Sequence, residues 1–145
     1  MPEENNSNAV RAMYHALNQR NLNGMIDQFN DDAELLDVPT NSMIRGKQAL
    51  SEYFQNWMNA FSNANGEIIN LITSGEMIIV EVIGRGFHQN VFSTSYGNIP
   101  SSEENVEIKF CQIYKIQNNK IKSGTSYYDL FGLIQAAEKA QKKSA

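Results

Sequence analysis

"VEIKFCQIYKIQNNKIKSGTSYYD", Val106 to Asp129, holds the hairpin on which the reading of the architecture turns. Apolar and polar residues alternate through "VEIKFCQIYKI", the period of a half-buried strand. Asn118-Asn119 then reads as a tight two-residue turn. Such a turn pairs Gln117 with Lys120, Ile116 with Ile121, Tyr114 with Ser123, Gln112 with Thr125, Phe110 with Tyr127 and Ile108 with Asp129. Strand side chains alternate between faces, so this register puts Phe110, Gln112, Tyr127 and Asp129 on one side. Lys109, Lys115, Lys122, Tyr128, Cys111 and Ile113 fall on the other. Asp129 ends the strand, and Leu130, Phe131, Leu133 and Ile134 follow at helical spacing. It is therefore either the N-cap of that helix or an acid aimed into an apolar pocket with a few convergent polar groups. In a pocket, desolvation disfavours the anion and suits the carboxyl to general acid–base work.

Upstream of this hairpin, "EIINLITS" and "MIIVEVIGRGFHQ" alternate with period two around Gly75-Glu76, a second hairpin signal. Between the hairpins "NVFSTSYGNIPSSEEN" reads as a long polar loop. The first half of the chain is helical in pattern. Val10, Met13, Tyr14 and Leu17 make one apolar stripe. A short helix carries Met25, Ile26 and Phe29 and closes at "NDD", and "AELLDVP" is an early strand ended by Pro39. "RGKQALSEYFQNWMNAF" places Leu50, Tyr53, Phe54, Trp57, Met58 and Phe61 on an amphipathic helix. Three helical segments with one early strand, a four-strand antiparallel meander and a closing helix make an α+β domain. We expect a disordered tail over residues 1–7, the domain over 8–137 and a basic tail over 138–145.

With 145 residues the chain is long enough for one domain with a real core. A net charge of −4 argues against an electrostatic grip on nucleic acid or an anionic membrane. The longest apolar stretch, "MIIVEVI", is too short to span a bilayer. The start "MPEENNSN" is acidic and polar and lacks the apolar core of a signal peptide, so a cytoplasmic location is expected. Cys111 is the one cysteine, which excludes an intramolecular disulfide and a cysteine cluster, and neither histidine sits with carboxylates at ligand spacing. No metal and no cofactor are expected. "MIIVEVI" is apolar on both faces, and only one face can meet the helices. The other would invite association, so a homodimer through the sheet is expected.

Four segments in order, "NQRNLNGMIDQFNDDAELLDVP", "RGKQALSEYFQNW", "GRGFHQNVF" with "YGNIP", and "NNKIKSGTSYYDLFGLIQ", resemble the SnoaL-like polyketide cyclases of the nuclear-transport-factor-2-like superfamily. The resemblance implies a cone-shaped, curved antiparallel sheet wrapped by helices around a deep apolar cavity, in a homodimer. It also implies that Asp129 is the acid/base of an intramolecular aldol closure, with His88 at a position where the family often has a histidine. "PSS", Pro100 to Ser102, departs from the family's usual "PTG" at the pocket rim. The ketosteroid isomerases of the same superfamily are similar at Asp37, two residues before Pro39, which matches their proton-shuttling aspartate loosely. Their helix-one tyrosine falls one residue from Tyr14, and their late-strand aspartate falls on Gln112 or Cys111. Asp129, His88 and Asp37 are thus the candidate catalytic residues. Tyr14, Tyr53, Trp57, Phe110, Gln112 and Tyr127 are the candidate substrate contacts. The expected function is proton transfer on a small apolar carbonyl compound held in the cone. The alternative is a non-catalytic small-molecule-binding or dimerisation module on the same scaffold.

Overall fold

The computed structural model describes residues 2–144. The elements run α1 (Pro2–Asn18), α2 (Leu22–Ile26), β1 (Phe29–Asp37), β2 (Ser42–Arg45), α3 (Gly46–Ala60), β3 (Phe61–Ser74) and β4 (Met77–His88). They continue through β5 (Phe92–Thr94), β6 (Gly97–Ile99), β7 (Asn105–Gln117) and β8 (Lys120–Tyr128) to α4 (Leu130–Ser144). Six strands form one sheet in the order β2-β1-β8-β7-β4-β3, and β5-β6 form a separate hairpin. The β3-β4-β7-β8 meander is antiparallel throughout. β1 joins its edge parallel to β8, and β2 returns antiparallel to β1.

The helices cover one face of the sheet. Val10 and Met13 of α1, Leu50 of α3, Ile78 and Val80 of β4, and Ile116 of β7 are all at most 2% exposed. They belong to one cluster under α1, α2 and α3. A second cluster, Phe61, Phe92, Ile99, Ile108, Leu133 and Ala137, lies under α4 and the β5-β6 hairpin. Phe110 packs against both clusters, and the Trp57 ring meets it at 5.7 Å as well as Phe92 at 4.3 Å and Tyr128 at 5.3 Å.

Several expectations are corrected at element ends. Phe29 and "NDD" belong to β1, not to the second helix, and β2 and the β5-β6 hairpin stand where turns and loop were expected. β3 begins at Phe61 instead of Glu67. The helix α1 spans Pro2–Asn18 and so takes in most of the residues expected as an N-terminal tail; Asn6 Nδ2 donates to Gly75 O (2.7 Å) on the β3-β4 turn, and Ser7 and Ala9 are buried. The basic end is the last part of α4 as far as Ser144. Met1 and Ala145, the outermost residues of the two expected tails, lie outside the described residues.

The decisive correction is in the hairpin. The Asn118-Asn119 turn forms, both residues at positive φ (55° and 64°), and Gln117 pairs with Lys120 and Ile116 with Ile121. The register then shifts: Lys115 pairs with Ser123, so Lys122 is the extra residue of a β-bulge. Every later partner moves by one, to Tyr114–Gly124, Gln112–Ser126, Cys111–Tyr127 and Phe110–Tyr128. A one-residue slip reverses the facing of a strand. Gly124, Ser126 and Tyr128 therefore face the helices, while Tyr127 is on the outer face, 46% exposed. The physical reason is packing. Tyr114 lays its ring on Gly124, where a Cβ would come within 2.7 Å of it, and the bulge is what brings that glycine opposite the tyrosine.

Candidate functional site

A cavity of about 100 Å³ lies between the sheet and the helices. Since one water needs roughly 10–15 Å³ on this kind of measure, the space suits a small molecule. Tyr14, Tyr53, Trp57, Phe110 and Gln112, all expected as contacts, line it, together with Tyr114. Asn65 and Arg85 also line it, the Arg85 side chain being held by Glu67 and Glu107, and the other side chains of the wall are apolar, with Met13, Leu35, Phe54, Phe61 and Ile108 among them. Few polar groups in an apolar concavity is the usual composition of a small-molecule site.

The buried polar groups of the site fall into two clusters. In the first, Tyr14 Oη and Tyr114 Oη both donate to Gln112 Oε1, the latter at 2.7 Å, and Gln112 Nε2 donates to Ser126 Oγ at 3.1 Å. All four residues are buried. Burial pushes the Tyr14 phenol well above its ordinary range, against the pull of its hydrogen bonds to Tyr114 and Gln112. Burial also raises Tyr114, helped by the nearby Tyr14 and Tyr53. Both phenols stay protonated donors. Strand alternation on β7 brings Gln112 and Tyr114 to the inner face, and α1 supplies Tyr14 from the stripe it packs on β3.

The second cluster is built around Asp37, at the end of β1 and only 2% exposed. Tyr53 Oη of α3 donates to Asp37 Oδ2 at 2.8 Å. Tyr128 Oη of β8 donates to both carboxylate oxygens, at 2.9 and 3.0 Å, and Thr40 N donates to Oδ1 at 3.2 Å. A buried carboxylate needs such partners, because an unpaired charge in an apolar interior is very costly. The Thr40 bond is a turn-type contact, an aspartate accepting from the backbone amide three residues on. Burial first and the Asp37 charge second lift the Tyr53 and Tyr128 phenols far above their ordinary range. Asp37 itself is set behind Tyr53, whose side chain lines the cavity.

Asp129 is not part of this arrangement. It is exposed, and its Oδ1 accepts from Gly132 N at 2.9 Å, so it caps α4. Tyr127, on the outer face, does not reach the cavity either. His88 is fully buried at the end of β4, its ring 4.7 Å from Phe61, but it is not among the residues that line the cavity. Tyr128, Tyr114 and Ser126 are the polar groups that the sequence reading missed. The signal for them was Gly124 itself: a glycine on a strand next to an aromatic-rich partner is a place where a ring can lie.

His88 Nδ1 accepts from Ser102 N at 3.3 Å, which requires that nitrogen to be unprotonated. Burial pushes the His88 pKa down, so the folded state holds the neutral ring while the unfolded chain binds a proton near pH 6.5. The unfolded state then carries more protons, and stability rises with pH across this window. The contribution is complete above about pH 6.5 and is lost as pH falls towards the lower folded value. Melting curves from about pH 8 to about pH 5 should show this loss, and His88→Gln should flatten the profile. An unchanged slope in that variant would place the acid sensitivity elsewhere.

A sequence model of the SnoaL-like domain matches residues 10–124. The chain belongs to the SnoaL-like domain family. No curated protein matches it. Solved structures with the same fold include a candidate SnoaL-like polyketide cyclase from Jannaschia sp. CCS1, with a TM-score of 0.81 at 12% identity over 94% of this chain and 93% of that one. A protein from Catenulispora acidiphila with a ketosteroid-isomerase-like fold, solved with trimethylamine, gives 0.75 at 15% identity over 90% and 92%. A nuclear-transport-factor-2-like protein of unknown function from Burkholderia pseudomallei gives 0.72 at 18% over 92% and 97%. At these identities the likeness is one of fold: helices and a curved, open, mostly antiparallel sheet. Among the described residues no helix of this SnoaL-like domain is long and apolar enough to cross a membrane.

Proposed function

We propose that this SnoaL-like domain binds a small apolar carbonyl compound in its cavity and moves a proton on it with Asp37. The observation that carries this reading is a buried carboxylate joined by a 2.8 Å hydrogen bond to Tyr53, a phenol on the cavity wall. When a ligand carbonyl enters, the Tyr53 hydroxyl turns from Asp37 Oδ2 to the carbonyl oxygen. Asp37 does not itself line the cavity, so the turn of Tyr53 has both to open the way to Oδ2 and to free a lone pair there that takes the proton from the carbon next to that carbonyl. The electron pair of the broken C–H bond becomes the enolate, which the Tyr53 hydrogen bond stabilises. Return of the proton at another carbon gives isomerisation. Attack of the enolate carbon on a second carbonyl gives ring closure, and the alkoxide so formed takes the proton back from Asp37.

The test is α-proton exchange of 2-tetralone in deuterium oxide, followed by NMR with the wild type and Asp37→Asn. Exchange accelerated by the wild type and reduced in the variant by about 10²–10⁴-fold supports the assignment. Saturable binding without exchange selects the non-catalytic binding module. That alternative is favoured by the fact that both Asp37 oxygens already accept hydrogen bonds.

We also propose a homodimer through the outer sheet face. Ile69 and Ile72 of β3, Met77 of β4 and Tyr127 of β8 are each 40–57% exposed, large apolar groups of the kind that mark an association surface. Sedimentation should give a dimer at micromolar concentration, and Ile72→Glu with Met77→Lys should give a folded monomer. A monomeric wild type ends this reading.

A further inference from the structure

The cavity owes its space to glycines. Gly66 of β3 and Gly84 of β4 are cross-strand partners, and Gly84 also pairs with Ile108 of β7. Gly84 continues the inward row of Ile78, Val80 and Val82. A Cβ on Gly66 would lie 2.9 Å from the Tyr14 ring, one on Gly84 would lie 2.8 Å from the Phe110 ring, and one on Gly124 would lie 2.7 Å from the Tyr114 ring. Each of these rings lines the cavity. Each packs over a position that has no side chain.

The three positions differ in what holds the ring. Tyr14 and Tyr114 are tethered by their hydroxyls to Gln112 Oε1. A methyl group beneath either one must break a buried hydrogen bond or move a strand. Phe110 has no such tether. It is held by packing alone, with Trp57 at 5.7 Å and Tyr128 at 5.3 Å. A methyl group at position 84 meets the ring edge, Cε2, while the β7 backbone at Ile108 O stays 3.7 Å away. The ring yields before the backbone does, and it is a ring that lines the cavity.

We propose that Gly84 is a specificity-determining residue that acts through Phe110: it sets the largest ligand the cavity admits by letting that ring lie against the sheet. This rests on the reading of the cavity as a ligand site. One methyl group more or less in an apolar pocket changes affinity by about 10–200-fold, so the expected effect is large for a ligand that fills the cavity and small for one that does not.

The experiment compares cyclohexanone, acetophenone and 2-acetylnaphthalene as probes, by ligand-observed NMR, on the wild type, Gly84→Ala, Phe110→Leu and the double variant. For Gly84→Ala the largest probe that the wild type accepts should lose about 10-fold or more in affinity, and cyclohexanone should change little. Phe110→Leu in the Gly84→Ala background should restore the lost probe. Equal losses for all probes, or no loss for any, overturn the proposal. A crystal structure of Gly84→Ala gives a readout independent of ligand. A Phe110 ring swung into the cavity supports the proposal, and a ring in place over a displaced β4 backbone overturns it. If no ketone binds the wild type, the ligand reading fails, and the ring position in that crystal still decides the role of Gly84.

Discussion

Asp37→Ala should destabilise the fold by about 2–5 kcal/mol, measured by urea or thermal unfolding, and should abolish any ketone exchange. The carboxylate is the acceptor for Tyr53 Oη, Tyr128 Oη and Thr40 N at once. Alanine removes that acceptor and leaves two phenols and an amide with nothing in reach in a part-buried site, and each unsatisfied group costs about 1–3 kcal/mol. The isolated anion costs much to bury, and its removal offsets part of the loss. Asp37→Asn separates structure from chemistry. Its amide oxygen still accepts from a phenol, and a hydroxyl can rotate to accept from its amide nitrogen. Its stability should therefore lie much closer to wild type, with exchange still reduced by about 10²–10⁴-fold, since an amide cannot carry the proton. Asparagine with wild-type exchange would remove Asp37 from the chemistry and leave it as the clamp between α3, β8 and the turn after β1.

The α+β class and the covered face of the meander were legible because burial writes itself into period-two and period-3.6 patterns. Ile78, Val80 and Val82 lie inward together for that reason, and so do Val10, Met13 and Tyr14. What was not legible was the single extra residue at Lys122. A bulge leaves no composition mark: "KIKSGTSYYD" alternates equally well in either register, and the choice falls to the Tyr114 ring on Gly124, a contact between strands. Two of the nine expected site residues hung on that choice. Gln112 and Phe110, on β7, are placed by their own strand and line the cavity as expected. Tyr127 and Asp129, downstream of the bulge on β8, turned outward together, and Tyr128 took the inner position and found Asp37. The polar stretch around Asn6 is likewise tied to a distant group, the Gly75 carbonyl, that no local pattern contains. Asp37 shares its facing with Ala33 and Leu35, both at most 1% exposed, so strand alternation by itself turns it inward. Its tyrosine partners come from α3 and β8, elements whose relative position no local pattern contains.

Gln112→Leu should cost about 2–4 kcal/mol, nearly all of it from hydroxyls left behind and little from the amide itself. Leucine is close enough in size to fill the site, so lost packing is a small part of the effect. What it lacks is Oε1, the shared acceptor of Tyr14 and Tyr114, and Nε2, the donor to Ser126. The asymmetry of hydrogen bonding then makes a strong claim: removing both sides of a bond is far cheaper than removing one. Adding Tyr14→Phe and Tyr114→Phe to Gln112→Leu should restore more than half of the lost stability, although three residues are changed instead of one. Groups in one network couple, so the non-additivity should be plain in a cycle of the single, double and triple variants followed by urea unfolding. Ligand affinity should move the other way. The triple variant keeps the cavity walls but offers no hydroxyl at its Tyr14–Tyr114 end, so ketone probes that use this end should bind more weakly, while an apolar hydrocarbon of the same size should not. A triple variant as unstable as Gln112→Leu alone would show that the shape of the glutamine, and not its hydrogen bonds, holds α1 against β7.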